Sequence, residues 1–136
     1  MNKPTAKYDA VMLIDDNEID NFINQKIIEG NNFAERVYVN TSAKSAMEFL
    51  VNLSRTKDIP KQLIPQFIFL DINMPIMDGF QFLEEFEKLP ALLRSGINIL
   101  MLTTSINPSD IANSNKDKRI LQYINKPLTS GHLLKL

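Results

Sequence analysis

The chain has 136 residues, 44% hydrophobic and 23% charged, with a formal net charge of −1. That is the size of one domain, large enough to bury a core without disulfide or metal staples. The absence of cysteine and the single histidine, His132, exclude a disulfide framework, thiol catalysis, cysteine-based zinc and a two-histidine metal centre. The balanced charge excludes a global basic field for nucleic acid. No stretch approaches the roughly 20 apolar residues of a membrane span, and Met1 to Asp9 lacks the apolar core of a secretory signal. A single cytoplasmic domain over residues 1–136, with its core from about residue 9 onward, is the expectation, with neither membrane nor direct nucleic-acid partners.

Ala10-Val11-Met12-Leu13-Ile14 is an unbroken apolar run ended by Asp15-Asp16, which predicts a strand buried on both faces. Ile19, Phe22, Ile23 and Ile27 then follow helical spacing, with Asp16 or Asn17 as cap and a stop at Gly30-Asn31-Asn32. Val37-Tyr38-Val39 predicts a second strand. Thr41 or Ser42 caps a second helix through Ala46, Phe49, Leu50 and Leu53. Residues Arg55 to Pro65 lose the pattern and are expected to form an exposed loop. Phe67-Ile68-Phe69-Leu70 predicts a third buried strand ending at Asp71, and Asn73 to Gly79 a turn by its Pro75 and Gly79. Phe82, Leu83, Phe86 and Leu89 mark a third helix before Pro90. A fourth strand is expected over Ile97 to Leu102, a short polar helix over Pro108 to Ser114 capped by Asn107, a fifth strand over Ile120 to Ile124, and a short last helix carrying Leu133 and Leu134. Strands alternating with helices imply an α/β fold, a parallel five-stranded sheet doubly wound with helices on both faces.

In such sheets function gathers beyond the carboxyl ends of the strands. Four of those ends carry a distinctive group: Asp15-Asp16, Asp71, Thr103 and Lys126-Pro127. Three carboxylates at one edge repel one another by roughly 3 kcal/mol per pair at about 5 Å and an effective dielectric near 20. Oxygen ligands alone suit Mg²⁺, Mn²⁺ or Ca²⁺. A lysine ammonium and a threonine hydroxyl suit phosphoryl oxygens. A carboxylate nucleophile beside a hard cation, an ammonium and a hydroxyl is the equipment of phosphoryl transfer. Each group alone reads as cap, turn or loop chemistry; the argument rests on all of them falling at strand ends, in order.

From about Ala10 to the C-terminus the sequence resembles the receiver domains of two-component response regulators. Phe69-Leu70-Asp71-Ile72-Asn73-Met74-Pro75-Ile76-Met77-Asp78-Gly79 is similar to the family's phosphoacceptor segment, and Asp15-Asp16, Thr103 and Lys126-Pro127 match its other signatures. The resemblance implies a flavodoxin-like sheet of order 2-1-3-4-5. It implies that Asp71 accepts a phosphoryl group from a phosphohistidine on a sensor histidine kinase or histidine phosphotransfer protein. Asp16, Asp71 and the Asn73 carbonyl would hold Mg²⁺, with Asp15 in its outer shell, and Lys126 and Thr103 would hold phosphoryl oxygens. Thr103 and Tyr123 would be the switch pair. The helix at Pro108 to Ser114, the fifth strand and the last helix would form the face that changes its preference for a downstream protein. Thr104 stands where the family usually has a smaller residue, and would limit access to Asp71. Asn73 and Ser105 occupy the positions that tune phosphoryl lifetime.

A receiver of this kind is not an enzyme in its own right but assists its own phosphorylation and dephosphorylation. An Asp-nucleophile phosphatase needs a second Asp two residues after the nucleophile, where this chain has Asn73. Two alternatives are a receiver-like module that binds partners without phosphate, and a receiver cut from a larger regulator or hybrid kinase. His132 reads as an ordinary late-helix residue, Met74 and Met77 as gap-fillers, and Lys116, Lys118 and Arg119 as a solvated face.

Overall fold

The computed structural model describes residues 5–104 and 118–136. The elements run β1 (Tyr8–Ile14), α1 (Glu18–Gly30), β2 (Ala34–Asn40), α2 (Ala43–Arg55), a 3₁₀ turn (Lys61–Leu63), β3 (Phe67–Asp71), α3 (Gly79–Phe86), α4 (Ala91–Arg94), β4 (Asn98–Thr103), β5 (Ile120–Asn125) and α5 (Ser130–Leu134). All strand pairings are parallel and the sheet order is β2-β1-β3-β4-β5. The order puts β1, β3 and β4 inside, which explains their continuous apolar runs. β2 lies at an edge and tolerates exposed Glu35 and Arg36.

Alternate residues of each strand face opposite sides. Met12, Ile14, Ile68, Leu70, Ile99 and Met101 pack with Ala46 and Leu50 of α2 and Phe82, Leu83 and Phe86 of α3. Val11, Leu13, Phe67, Phe69, Leu100 and Leu102 form a second core with Ile28 of α1, Phe33, Leu128 and Leu133. No described helix is long and apolar enough to cross a membrane.

Local caps follow the side chains at the helix starts. Asn17 Oδ1 accepts from the amides of Ile19 and Asp20 at 2.9 and 3.0 Å. Ser42 caps α2, and Asp78 forms a reciprocal capping box with Gln81. α4, after Pro90, adds a turn that the periodicity does not disclose.

Two sequence expectations need correction. Ile19, Phe22 and Ile23 are not the buried stripe of α1: they are 70%, 61% and 40% exposed. The inward face carries Asn21, Asn24 and Ile28, because the helix sits over strand ends whose backbone groups need polar partners. The segment after Arg55 is not simply an exposed loop. The Leu63 carbonyl accepts from the Tyr38 hydroxyl at 2.8 Å, Ile64 packs on the core, and Gln66 bonds to the Asp9 and Ala10 backbone. His132 lies in the last turn of the five-residue α5, where its ring closes a capping box with Thr129. The helix expected over Pro108 to Ser114, its cap Asn107, Lys116 and the lifetime position Ser105 lie outside the described residues.

Candidate functional site: an acidic cluster around one lysine

The parallel order brings the carboxyl ends of β1, β3, β4 and β5 to one edge, and the loops there supply the site. Asp15 follows β1. Its amide bonds to the Asn40 carbonyl at 3.1 Å, and its Oδ1 accepts from the Asn17 amide at 2.9 Å. Asp71 is the last residue of β3, paired in register with Leu102 of β4. Carboxylate oxygens of Asp15, Asp16 and Asp71 all lie within 4.8 Å of one another. Asp15 and Asp71 are buried, at 1% and 5% exposure, whereas Asp16 opens to solvent.

Lys126, just past β5, reaches into this cluster. Its backbone amide bonds to the Thr103 carbonyl at 2.8 Å, which ties the ends of β4 and β5 together. The Lys126–Pro127 peptide is cis. The ammonium lies 2.6 Å from Asp15 Oδ2, 3.2 Å from Asp71 Oδ1 and 3.1 Å from Asp20 Oδ2. Asp15 Oδ2 is shielded from water, so the ammonium is its counter-charge. Burial opposes the Lys126 charge, but polar contacts with Asp15 and Asp20 and the charges of Asp15 and Asp71 outweigh it and hold the ammonium above the usual lysine range.

Asp71 is pushed the other way, from an ordinary 3.8 up to about 6. Burial is the largest cause and the Asp15 charge the next; Lys126 and the Asn73 amide offset them only in part. A group of crowded, oxygen-only donors that one lysine does not neutralise fits a hard divalent cation.

Thr103 ends β4, buried at 3% exposure beside the cluster. Thr104 is exposed and lines a cavity of 280 Å³ with Asp20, Ile23, Asn24, Lys126 and Pro127. Asn73 is exposed on the loop after Asp71. Tyr123 pairs with Met101 in register and packs half-buried against the α2–α3 side of the sheet, its hydroxyl shielded from solvent. Gly79 closes the loop after Asp71. A Cβ there would come within 3.0 Å of the Asp71 carbonyl and 3.1 Å of Ile72 Cα, so only glycine lets α3 approach this closely.

Three residues of α1 were not legible as site residues. Asp20 pairs with Lys126. Asn21 Nδ2 donates to the Asp15 carbonyl at 2.8 Å, and Asn24 Oδ1 accepts from the Leu128 amide at 3.1 Å. The usable signal is the spacing of Asn17, Asn21, Asn24 and Ile28 at three- and four-residue intervals, a polar stripe on one helical face.

Fold and site together define a doubly wound α/β protein with an acidic centre at the carboxyl edge of its sheet. The family model of the response regulator receiver domain matches residues 11–136, and the chain belongs to that family of two-component signalling, whose members are signalling phosphoacceptors. It is similar to the response regulator Rcp1 of Synechocystis sp., with 28% identity over 102 residues, 75% of this chain and 66% of that protein's length. It is also similar to two solved structures. A two-component response regulator from Cytophaga hutchinsonii has 30% identity and a TM-score of 0.84, covering 95% of this chain and 93% of that one. A response regulator receiver protein from Dyadobacter fermentans has 28% identity and a TM-score of 0.79, covering 93% and 92%.

Proposed function

We propose that residues 1–136 form one receiver domain that acts as a phosphoryl switch with Asp71 as acceptor. A carboxylate oxygen of Asp71 attacks the phosphorus of a phosphohistidine on a sensor histidine kinase or phosphotransfer protein. The new O–P bond forms as the P–N bond breaks, and the imidazole leaves with the bonding pair and takes up a proton. The observation that carries this reading is the buried Asp71 carboxylate, 3.2 Å from an ammonium that two other carboxylates also hold.

Lys126 holds one phosphoryl oxygen and the Thr103 hydroxyl another. Asp16, Asp71 and the Asn73 carbonyl are the proposed Mg²⁺ ligands, with Asp15 acting through water; Mn²⁺ has the same donor preference. When bound, the dication supplies charge compensation for the phosphoryl oxygens. Thr104 narrows the approach from the cavity side, and Asn73, with Ser105, sets access of the hydrolysing water. Movement of Thr103 toward the phosphoryl group changes the packing at Tyr123 and, through it, the face read by a downstream protein. The domain acts in the cytoplasm, assists only its own phosphorylation and dephosphorylation, and contacts neither nucleic acid nor membrane directly.

The test is the intact mass after incubation with Mg²⁺ and a small acyl-phosphate donor, for wild type and Asp71→Asn, with and without chelator. One phosphoryl adduct on wild type alone, lost with chelator, is the expected result. No adduct from either the small donor or a phosphorylated kinase would favour a phosphate-independent binding module.

A further inference from the structure

Asp20 lies in the first turn of α1, its amide capped by Asn17. An acid there needs no specific role, because the helix dipole alone favours negative charge at that end. The dipole, however, gives a side chain no particular direction. The Asp20 carboxylate crosses to the far end of the chain and meets Lys126 Nζ at 3.1 Å, as close as Asp71 does at 3.2 Å. Lys126 is 9% exposed at its side chain, and Asp20, at 32%, stands on the solvent side of it. Both line the 280 Å³ cavity with Thr104 and Pro127, so Asp20 occupies the side from which solvent reaches the ammonium.

We propose that Asp20 is a positioning residue that competes with Asp71 for Lys126 and so restrains phosphorylation. The proposal rests on the reading of Asp71 as phosphoacceptor. An ammonium divided among Asp15, Asp20 and Asp71 is not free to turn wholly toward an arriving phosphoryl oxygen. Taking up that oxygen requires Lys126 to loosen its contact with Asp20, and the Asp20 charge then faces the incoming anion. Both effects slow transfer from a small dianionic donor, and both vanish when Asp20 loses its charge.

The experiment compares initial rates of phosphoryl adduct formation with acetyl phosphate at saturating Mg²⁺ for the full chain, Asp20→Asn and Asp20→Glu, each checked for folding by thermal melting. Asp20→Asn should react about fivefold faster at low salt, an advantage that shrinks as salt rises, while Asp20→Glu keeps the charge and stays near wild type. In a Lys126→Gln background the acceleration should fall below about twofold, because the coupling of Asp20 to Lys126 is then absent. If that background reacts too slowly to measure, the contrast between Asn and Glu decides. A rate for Asp20→Asn equal to or below wild type, equal acceleration by Asn and Glu, or undiminished acceleration without Lys126 would overturn the assignment. A folded wild type that takes no phosphoryl group from this donor or a phosphorylated kinase would overturn the reading of Asp71 and this one with it; a wild-type adduct insensitive to Asp20 would overturn this one alone.

Discussion

Replacing Asp71 with asparagine should stabilise the metal-free protein at neutral pH. The Asp71 carboxyl titrates near 6 rather than 3.8, chiefly because it is buried and secondly because Asp15 repels it. A carboxyl whose folded value lies above its unfolded value binds its proton more tightly in the folded state. Its stabilising effect is complete below the unfolded value and is lost as pH rises through the folded one. The shift of roughly two units corresponds to about 3 kcal/mol, an upper figure for the cost of holding Asp71 ionised above about pH 6. Asparagine carries no such cost, and Lys126 keeps Asp15 at 2.6 Å and Asp20 at 3.1 Å. Urea denaturation in chelator should therefore show Asp71→Asn more stable than wild type by about 1–3 kcal/mol at about pH 7.5, with the gap closing by about pH 4. Magnesium at about a hundred times its dissociation constant should raise wild type by about 2.7 kcal/mol and Asp71→Asn by less, which narrows or reverses the gap. A variant no more stable than wild type in chelator at neutral pH, or a gap that does not shrink on acidification, would refute the argument.

Other substitutions probe the supports of the site. Lys126→Ala leaves Asp15 and Asp71 buried without their shared ammonium, so it should cost about 3 kcal/mol of stability in chelator, partly recovered by Mg²⁺, as read by denaturant midpoints. Gly79→Ala must push Cβ against the Asp71 carbonyl and Ile72, and should cost about 1–3 kcal/mol and slow phosphorylation, measured by melting and by adduct formation. Asn17→Ala removes a cap that accepts from two amides and should cost about 1 kcal/mol by chemical denaturation. Ile76 is 97% exposed with φ of 71°, so Ile76→Asn should stabilise by about 1 kcal/mol in thermal melts, because asparagine tolerates that backbone region better than a β-branched side chain.

The order of the strands was legible from the chain because a strand buried on both faces must be apolar throughout. Ala10 to Ile14 and Phe67 to Leu70 can satisfy their surroundings in no other way. The polar groups that end these runs stand out for the same reason: Asp15, Asp71 and Thr103 are costly next to a core unless the edge uses them. Local sequence could not decide which face of α1 points inward. Its apolar residues suggested Ile19, Phe22 and Ile23, and the structure instead buries Asn21 and Asn24. The choice depends on backbone groups at Asp15, Asn40 and Leu128, brought together by the parallel sheet from distant parts of the chain. The pairing of Asp20 with Lys126, 106 residues away, is decided in the same way. Periodicity records what a residue must avoid, whereas a polar contact across the fold depends on where the partner's element is carried, and only tertiary packing sets that.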